Sequence, residues 1–160
     1  MPAALAWLEA SAIGEWVRTS GPWTYALVNL GHVLGVALLF GAIVVLDLRL
    51  LGAWARTPAT ALAAPATTVA AAGLTLALLT GPVLLSAQAT EYERNPFLWL
   101  KLGAVALGAA NLWALRRSDA WRRLDEAASA GARRRLALGG ALSLAFWFTA
   151  VCAGRMIAYW

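Results

Sequence analysis

The chain has little of what enzyme chemistry ordinarily uses. Among its 160 residues there is one cysteine, Cys152, so an internal disulfide is impossible and cysteine usage does not reveal a redox compartment. HExxH, CxxC, P-loop and Gly-x-Ser-x-Gly patterns are all missing, which removes the usual support for hydrolase, structural-zinc and nucleotide-binding readings. Charged residues make up only 13% of the chain, and 8 acidic residues stand against 13 basic ones. The acidic pair Glu91 and Glu93 falls in a polar turn, where solvated loop charge explains it better than acid–base work. No catalytic residue is singled out.

What the chain has in abundance is apolar sequence. At 61% hydrophobic residues it exceeds the usual share of a soluble domain. Four runs, 24–46, 66–88, 97–115 and 136–158, have the length a membrane helix needs, about 20 residues. The connecting segments are too short to bury a core of their own. The expected fold is all-α: an integral membrane four-helix bundle forming a single domain over 1–160. The N-terminus does not read as a cleaved signal, since its first positive charge is Arg18 and it carries Glu9 and Glu15. Leu5, Leu8, Ile13, Trp16 and Val17 make 3–19 an amphipathic helix expected to lie on one membrane face.

The basic residues set an orientation. Arg49, Arg56, Arg116, Arg117, Arg122, Arg123, Arg133, Arg134 and Arg135 fall between spans one and two or three and four, against only Arg18, Arg94, Lys101 and Arg155 elsewhere. The positive-inside rule then places both termini outside the cytoplasm. Lipid headgroups are the natural partner of such a belt, and Asp119, Asp125 and Glu126 within it weigh against nucleic acid. Tryptophans mark the interfaces, with Trp23, Trp99 and Trp160 expected on the outer side and Trp54, Trp113 and Trp121 on the inner. Trp147, alone near the middle of a span, is expected to pack.

The connectors carry ordinary stop and start signals. Thr57-Pro58 and Ala64-Pro65 bound an Ala/Thr/Pro-rich connector over 52–65, and Pro96 opens the third span. Ser118 is expected to cap a short amphipathic helix over Asp119 to Ser129, ended by Gly131, with Trp121 and Leu124 facing lipid. Gly31 and Gly35, and Ala104 and Gly108, have the small-residue spacing that lets membrane helices approach closely. They serve packing inside the chain, a homo-oligomer seam through the Gly31/Gly35 face, or a flat slot for a planar ligand beside His32.

His32, the one histidine, lies inside an apolar run and needs a reason to be there. Counted from Trp23 it sits roughly 13 Å below the outer interface. Asn29 shares its helix face. Lys101 and Arg155 lie at shallower levels, so all four belong to the outer half, although both cations can also snorkel to headgroups. Cys152 and Met156 are four residues apart on one face of the fourth span, and thiolate, thioether and imidazole together suit Cu(I) or a haem iron. At the inner end, Asp47 and Arg49 read as an ion pair or headgroup contacts.

Ser20 to Tyr25, His32-Val33-Leu34-Gly35, Gly41, Asp47-Leu48-Arg49-Leu50-Leu51-Gly52, Asn95-Pro96-Phe97 with Lys101 and Asn111, and Gly154-Arg155 with Ala158-Tyr159 together form a pattern over nearly the whole chain. It resembles a group of small four-helix bacterial inner-membrane proteins of unknown function. More distantly, the chain looks like the copper-resistance D-type proteins and the haem-containing protoporphyrinogen oxidases of bacteria. Those likenesses imply copper passage in one case and b-type haem with porphyrin chemistry in the other. A bis-histidine haem within one chain is excluded by the single histidine.

Three functions are therefore expected in turn. The first is a b-type haem in the outer half, serving electron transfer with a redox partner on the outer side. His32 would be its axial ligand, Met156 or a second copy's His32 the other, and Lys101 and Arg155 would meet the propionates, with Asn29 beside them. The second is copper handling by His32, Cys152 and Met156. The third is a structural or assembly subunit without cofactor.

Overall fold

The computed structural model describes residues 2–125 and 129–160. Among them every regular element is helical and there is no strand. In chain order these are α1 (Pro2–Glu9), α2 (Ala12–Thr19), α3 (Pro22–Leu50), α4 (Ala59–Ser86), α5 (Pro96–Arg116), α6 (Asp119–Arg122) and α7 (Ala130–Met156), with 3-10 turns at Glu91–Arg94 and Ile157–Tyr159. Four segments, Pro22–Leu50, Ala59–Ser86, Pro96–Arg116 and Ala130–Tyr159, are long and apolar enough to cross a membrane. The chain is thus built as a multi-pass membrane protein. At 29 residues, α3 is about 44 Å long and exceeds a hydrocarbon core of about 30 Å.

The long helices pack as α3 along α4, α5 along α7, and α3 against α7. Small residues set each seam, because without Cβ bulk two backbones can meet. Gly35 and Gly73 face each other across α3 and α4, and a Cβ on Gly73 would lie 2.5 Å from the Leu39 amide nitrogen and 2.6 Å from the Gly35 carbonyl oxygen. Gly31 in turn faces the Thr80 methyl of α4. The Gly31/Gly35 face is therefore taken up inside the chain, which corrects its expectation as a seam between copies. Ala104 and Gly108 are buried on α5, and Gly108 receives the indole of Trp147, only 4% exposed. Trp147 joins Leu39, Ile43 and Ala70 in the central cluster, the packing role its position in the sequence implied.

The N-terminal segment is two helices rather than one over 3–19. Ser11 interrupts it, its hydroxyl oxygen accepting from the Gly14 amide to start α2 afresh. Arg18 then ties the segment down, donating to the carbonyls of Glu9 and Ser86, the latter the last residue of α4. The Glu9 carboxylate accepts from both the amide and the hydroxyl of Thr90, and those bonds hold its pKa below the ordinary value.

At the pole carrying most of the arginines, α4 begins at Ala59, earlier than the expected 66, so Pro65 lies within the helix instead of bounding it. The cause is a cap that is remote in sequence. The Asp125 carboxylate accepts from the Ala59 amide at 2.5 Å, from the Thr60 amide at 3.1 Å and from the Thr60 hydroxyl, filling orphan donors of the first turn. The Thr60 hydroxyl foremost, then the amides of Thr60 and Ala59 and the nearby Arg49 charge, hold the Asp125 pKa below its ordinary value of 3.8. A lowered carboxylate stabilises the folded state above its unfolded pKa and loses that contribution as pH falls through the folded one. Hydrogen-exchange protection of the Ala59 and Thr60 amides should therefore hold at neutral pH and fall below the ordinary Asp range. Asp125→Asn should show weaker protection and no such step, and an unchanged pH profile in that variant would disprove the cap.

The helix expected over Asp119 to Ser129 is shorter. Ser118 caps it as expected, accepting from the Trp121 amide, but α6 ends at Arg122; the part of that expectation over 126–128 lies outside the described residues. Ser129 caps α7 by accepting from the Ala132 amide, so Gly131 sits inside a helix and terminates nothing. Trp121 and Leu124 pack against Leu115, Ala120 and Leu136 instead of lipid, because α6 folds back onto α7.

Candidate functional site

At the opposite pole, the turn before α5 positions the site. Asn95 is 2% exposed and works at both ends of its amide: its oxygen accepts from the Phe97 amide, starting α5, and its nitrogen donates to the Ile157 carbonyl at the end of α7. The Trp99 indole donates back to the Glu93 carbonyl. With the start of α5 pinned to the end of α7, Lys101 runs along Gly154, where a Cβ would touch its Cδ, Cε and Nζ at 3.5 Å. Its amine ends 3.4 Å from Nε2 of His32 on α3.

The other face of the imidazole belongs to α4. His32 Nδ1 lies 3.0 Å from the Thr80 hydroxyl oxygen. That hydroxyl donates its own proton to the Leu76 carbonyl at 2.7 Å, so it can only accept from the ring. Ala77 supplies a further carbonyl acceptor for the ring N–H. The tautomer follows: Nδ1 carries the proton, and Nε2 presents a lone pair to which Lys101 donates. Gly81 leaves room for the ring, since a Cβ there would come within 3.3 Å of Cε1. One imidazole thus joins α3, α4 and α5, with Lys101 passing α7 on the way.

Of the residues read from the sequence, His32 and Lys101 meet, both half-buried. The others stay apart from them. Asn29 is exposed on α3. Arg155 is exposed and folds along its own helix, its guanidinium 4.8 Å above the Tyr159 ring and donating to the Tyr159 hydroxyl. Cys152 and Met156 are exposed on α7, while the inward positions of that turn are Ala153 and Gly154. Among the described residues no three His, Cys, Asp or Glu side chains gather as a metal site. Thr80 and Gly81 went unnoticed in the sequence. Thr67, Thr68 and Thr75 also return their hydroxyls to helix carbonyls, so nothing distinguished Thr80 before the helices were packed.

At the pole carrying most of the arginines, Asp47 and Arg49 do not form the ion pair that was one of their two expected roles. Asp47 is 4% exposed and turns toward Ser143 on α7, leaving Oδ2 without a hydrogen-bond partner among the described residues. Arg49 does not pair with it. Its Nε–H donates instead to the Thr57 carbonyl at 2.7 Å, a strut across the α3–α4 connector in place of the ion pair, with headgroup contacts for Arg49 untouched by it. Gly140 brings α7 close enough for this contact, as a Cβ there would lie 3.1 Å from the Asp47 carbonyl oxygen.

No family model matches the chain, and comparison with curated proteins and with solved structures yields no match either. The functional reading accordingly stands on the geometry of the polar site alone.

Proposed function

We propose that the chain is a bacterial inner-membrane four-helix protein whose outer half holds a b-type haem through His32, for electron transfer. The orientation rests on the asymmetry of the arginines, which puts the basic pole in the cytoplasm and both termini outside, with α1 and α2 at the outer interface. The observation that carries the cofactor reading is the contact of His32 Nδ1 with a Thr80 hydroxyl that already donates to Leu76, from which the tautomer is inferred. Metal-ligating histidines commonly donate one ring N–H to a protein acceptor and offer the other nitrogen to the metal, and Thr80 sets His32 in that state. When bound, the iron supplies one-electron redox chemistry.

The work of the chain's own residues follows. Thr80 and Gly81 hold the ring against α4 with Nε2 turned away from it. Lys101 occupies that lone pair, so ligation by His32 requires the Lys101 hydrogen bond to open. The freed amine, which meets no carboxylate among the described residues, is then a donor for a propionate. Met156 would complete the coordination only if α7 turned that side chain inward; a second copy's His32 is the other source.

A specific observation favours a second reading. Both ring nitrogens already have protein partners, so His32 serves equally as a clamp between helices in a structural or assembly subunit. Copper handling needs Cys152 and Met156 to leave lipid and join His32. One experiment separates the three. The purified protein, expressed with ample haem supply, should show a Soret band that shifts on reduction and about one iron per chain. His32→Ala should abolish the band. A colourless protein without stoichiometric metal leaves the clamp, stoichiometric copper without a Soret band selects the metal-handling reading, and a band unchanged in His32→Ala removes His32 as ligand.

A further inference from the structure

Away from the polar site, the basic pole contains a cavity of about 540 Å³ between the two connectors. Arg49, Arg56 and Arg133 line it together with the apolar side chains of Leu50, Leu51 and Leu136. Among the described residues its one acidic wall residue is Asp125, already committed to the first turn of α4 and to Thr60, so its charge is answered foremost by a hydroxyl and amides and only last by the nearby Arg49. Arg49 is fixed at the rim by its Nε–H bond to Thr57, which leaves the two terminal nitrogens of the guanidinium for another acceptor. Arg56 is exposed. A planar guanidinium offers paired donors matched to phosphate oxygens, and leucine walls beside it suit the chain region of an amphiphile.

We propose that this cavity is a binding site for the phosphate headgroup of an anionic phospholipid. Basic pockets at membrane-helix ends take acidic lipid headgroups. Here both halves of such a ligand have a counterpart: arginines for the phosphate and leucines for the glycerol and first methylenes. The site also lies where the Asp125 cap joins the connector between α3 and α4 to the segment before α7, so an occupant touches both. A free phosphate shares the headgroup chemistry but leaves the leucines unused.

The test uses the full chain in a zwitterionic detergent, with the unfolding midpoint followed as lipid is added. Phosphatidylglycerol should protect saturably, at concentrations at least about tenfold below those of phosphatidylcholine, given that each arginine near a lipid surface contributes about a factor of five. Arg56→Gln should weaken the protection several-fold and Arg49→Gln/Arg56→Gln more than tenfold. The double variant Arg134→Gln/Arg135→Gln, equal in charge removed but outside the cavity lining, should leave protection as it was. If Arg49→Gln proves unstable, Arg56→Gln alone decides. Equal protection by the two lipids, equal loss in the Arg134/Arg135 control, or full protection by inorganic phosphate without lipid would each overturn the assignment.

Discussion

Gly73→Leu should leave little folded, monodisperse protein. The position faces the α3 backbone: a Cβ at Gly73 would lie 2.5 Å from the Leu39 nitrogen, 2.6 Å from the Gly35 oxygen and 3.0 Å from the Leu38 Cβ. None of these is the tip of a side chain that can swing aside, so the two helices must separate. Even Gly73→Ala should lower stability by about 1–3 kcal/mol, the usual range for overpacking a close contact. The gain in helix propensity, up to about 1 kcal/mol, does not offset it. Separation of α3 from α4 also withdraws Thr80 from His32, so Gly73→Ala should weaken whatever the imidazole holds without touching it. The measurement is the thermal midpoint in detergent alongside size-exclusion behaviour. Gly41→Ala is the control, since a Cβ there meets nothing within 4 Å, and equal loss in both variants would refute the seam.

That contrast between glycines shows what a sequence does and does not disclose. Gly31, Gly35, Ala104 and Gly108 were legible as packing residues because their spacing alone marks a helix face, and the four long apolar helices were legible from length. Gly73 has that spacing too, with Ala77, but in a helix as rich in alanine as α4 the pair did not stand out, and its role emerged only when α4 was laid on α3. The polar site divides similarly. His32 and Lys101 stood out because ionisable groups are costly in apolar helices, and counting depth from Trp23 and Trp99 put both in one half of the membrane. Their meeting depends on helix rotation, fixed by Asn95, Gly154 and Thr80, and rotation leaves no mark in a helix that is apolar all round. The same ambiguity placed Arg155 and Cys152 with His32 when α7 turns Ala153 and Gly154 inward instead. Asp125 was hidden for another reason: a cap contributed from 66 residues away has no local signature.

Replacing Trp147 should produce the other large effect, and its coupling to Gly108 identifies the cause. The indole is 4% exposed and lies against α5, where a Cβ on Gly108 would fall 2.8 Å from Cε2 and 3.0 Å from Nε1. Trp147→Ala removes most of a side chain that also supports Leu39, Ile43 and Ala70, and large-to-small changes of this kind cost about 3–5 kcal/mol in soluble cores. Lipid tails cannot enter a cavity enclosed by three helices, so a loss of that order is expected here, read as a fall in the thermal midpoint. Gly108→Ala should also destabilise, because the rigid ring cannot bend away from the new methyl. The two changes should not add. In a Trp147→Ala background the Gly108 methyl enters vacated space, so Gly108→Ala should become neutral or stabilising, giving a coupling of about 1–3 kcal/mol between the sites. Strict additivity would mean that the indole does not rest on Gly108, and the α5–α7 seam would then need another basis. Because that seam, together with Asn95, carries Lys101 to His32, variants that loosen it should also alter the polar site some distance away, whether the imidazole binds iron or joins helices.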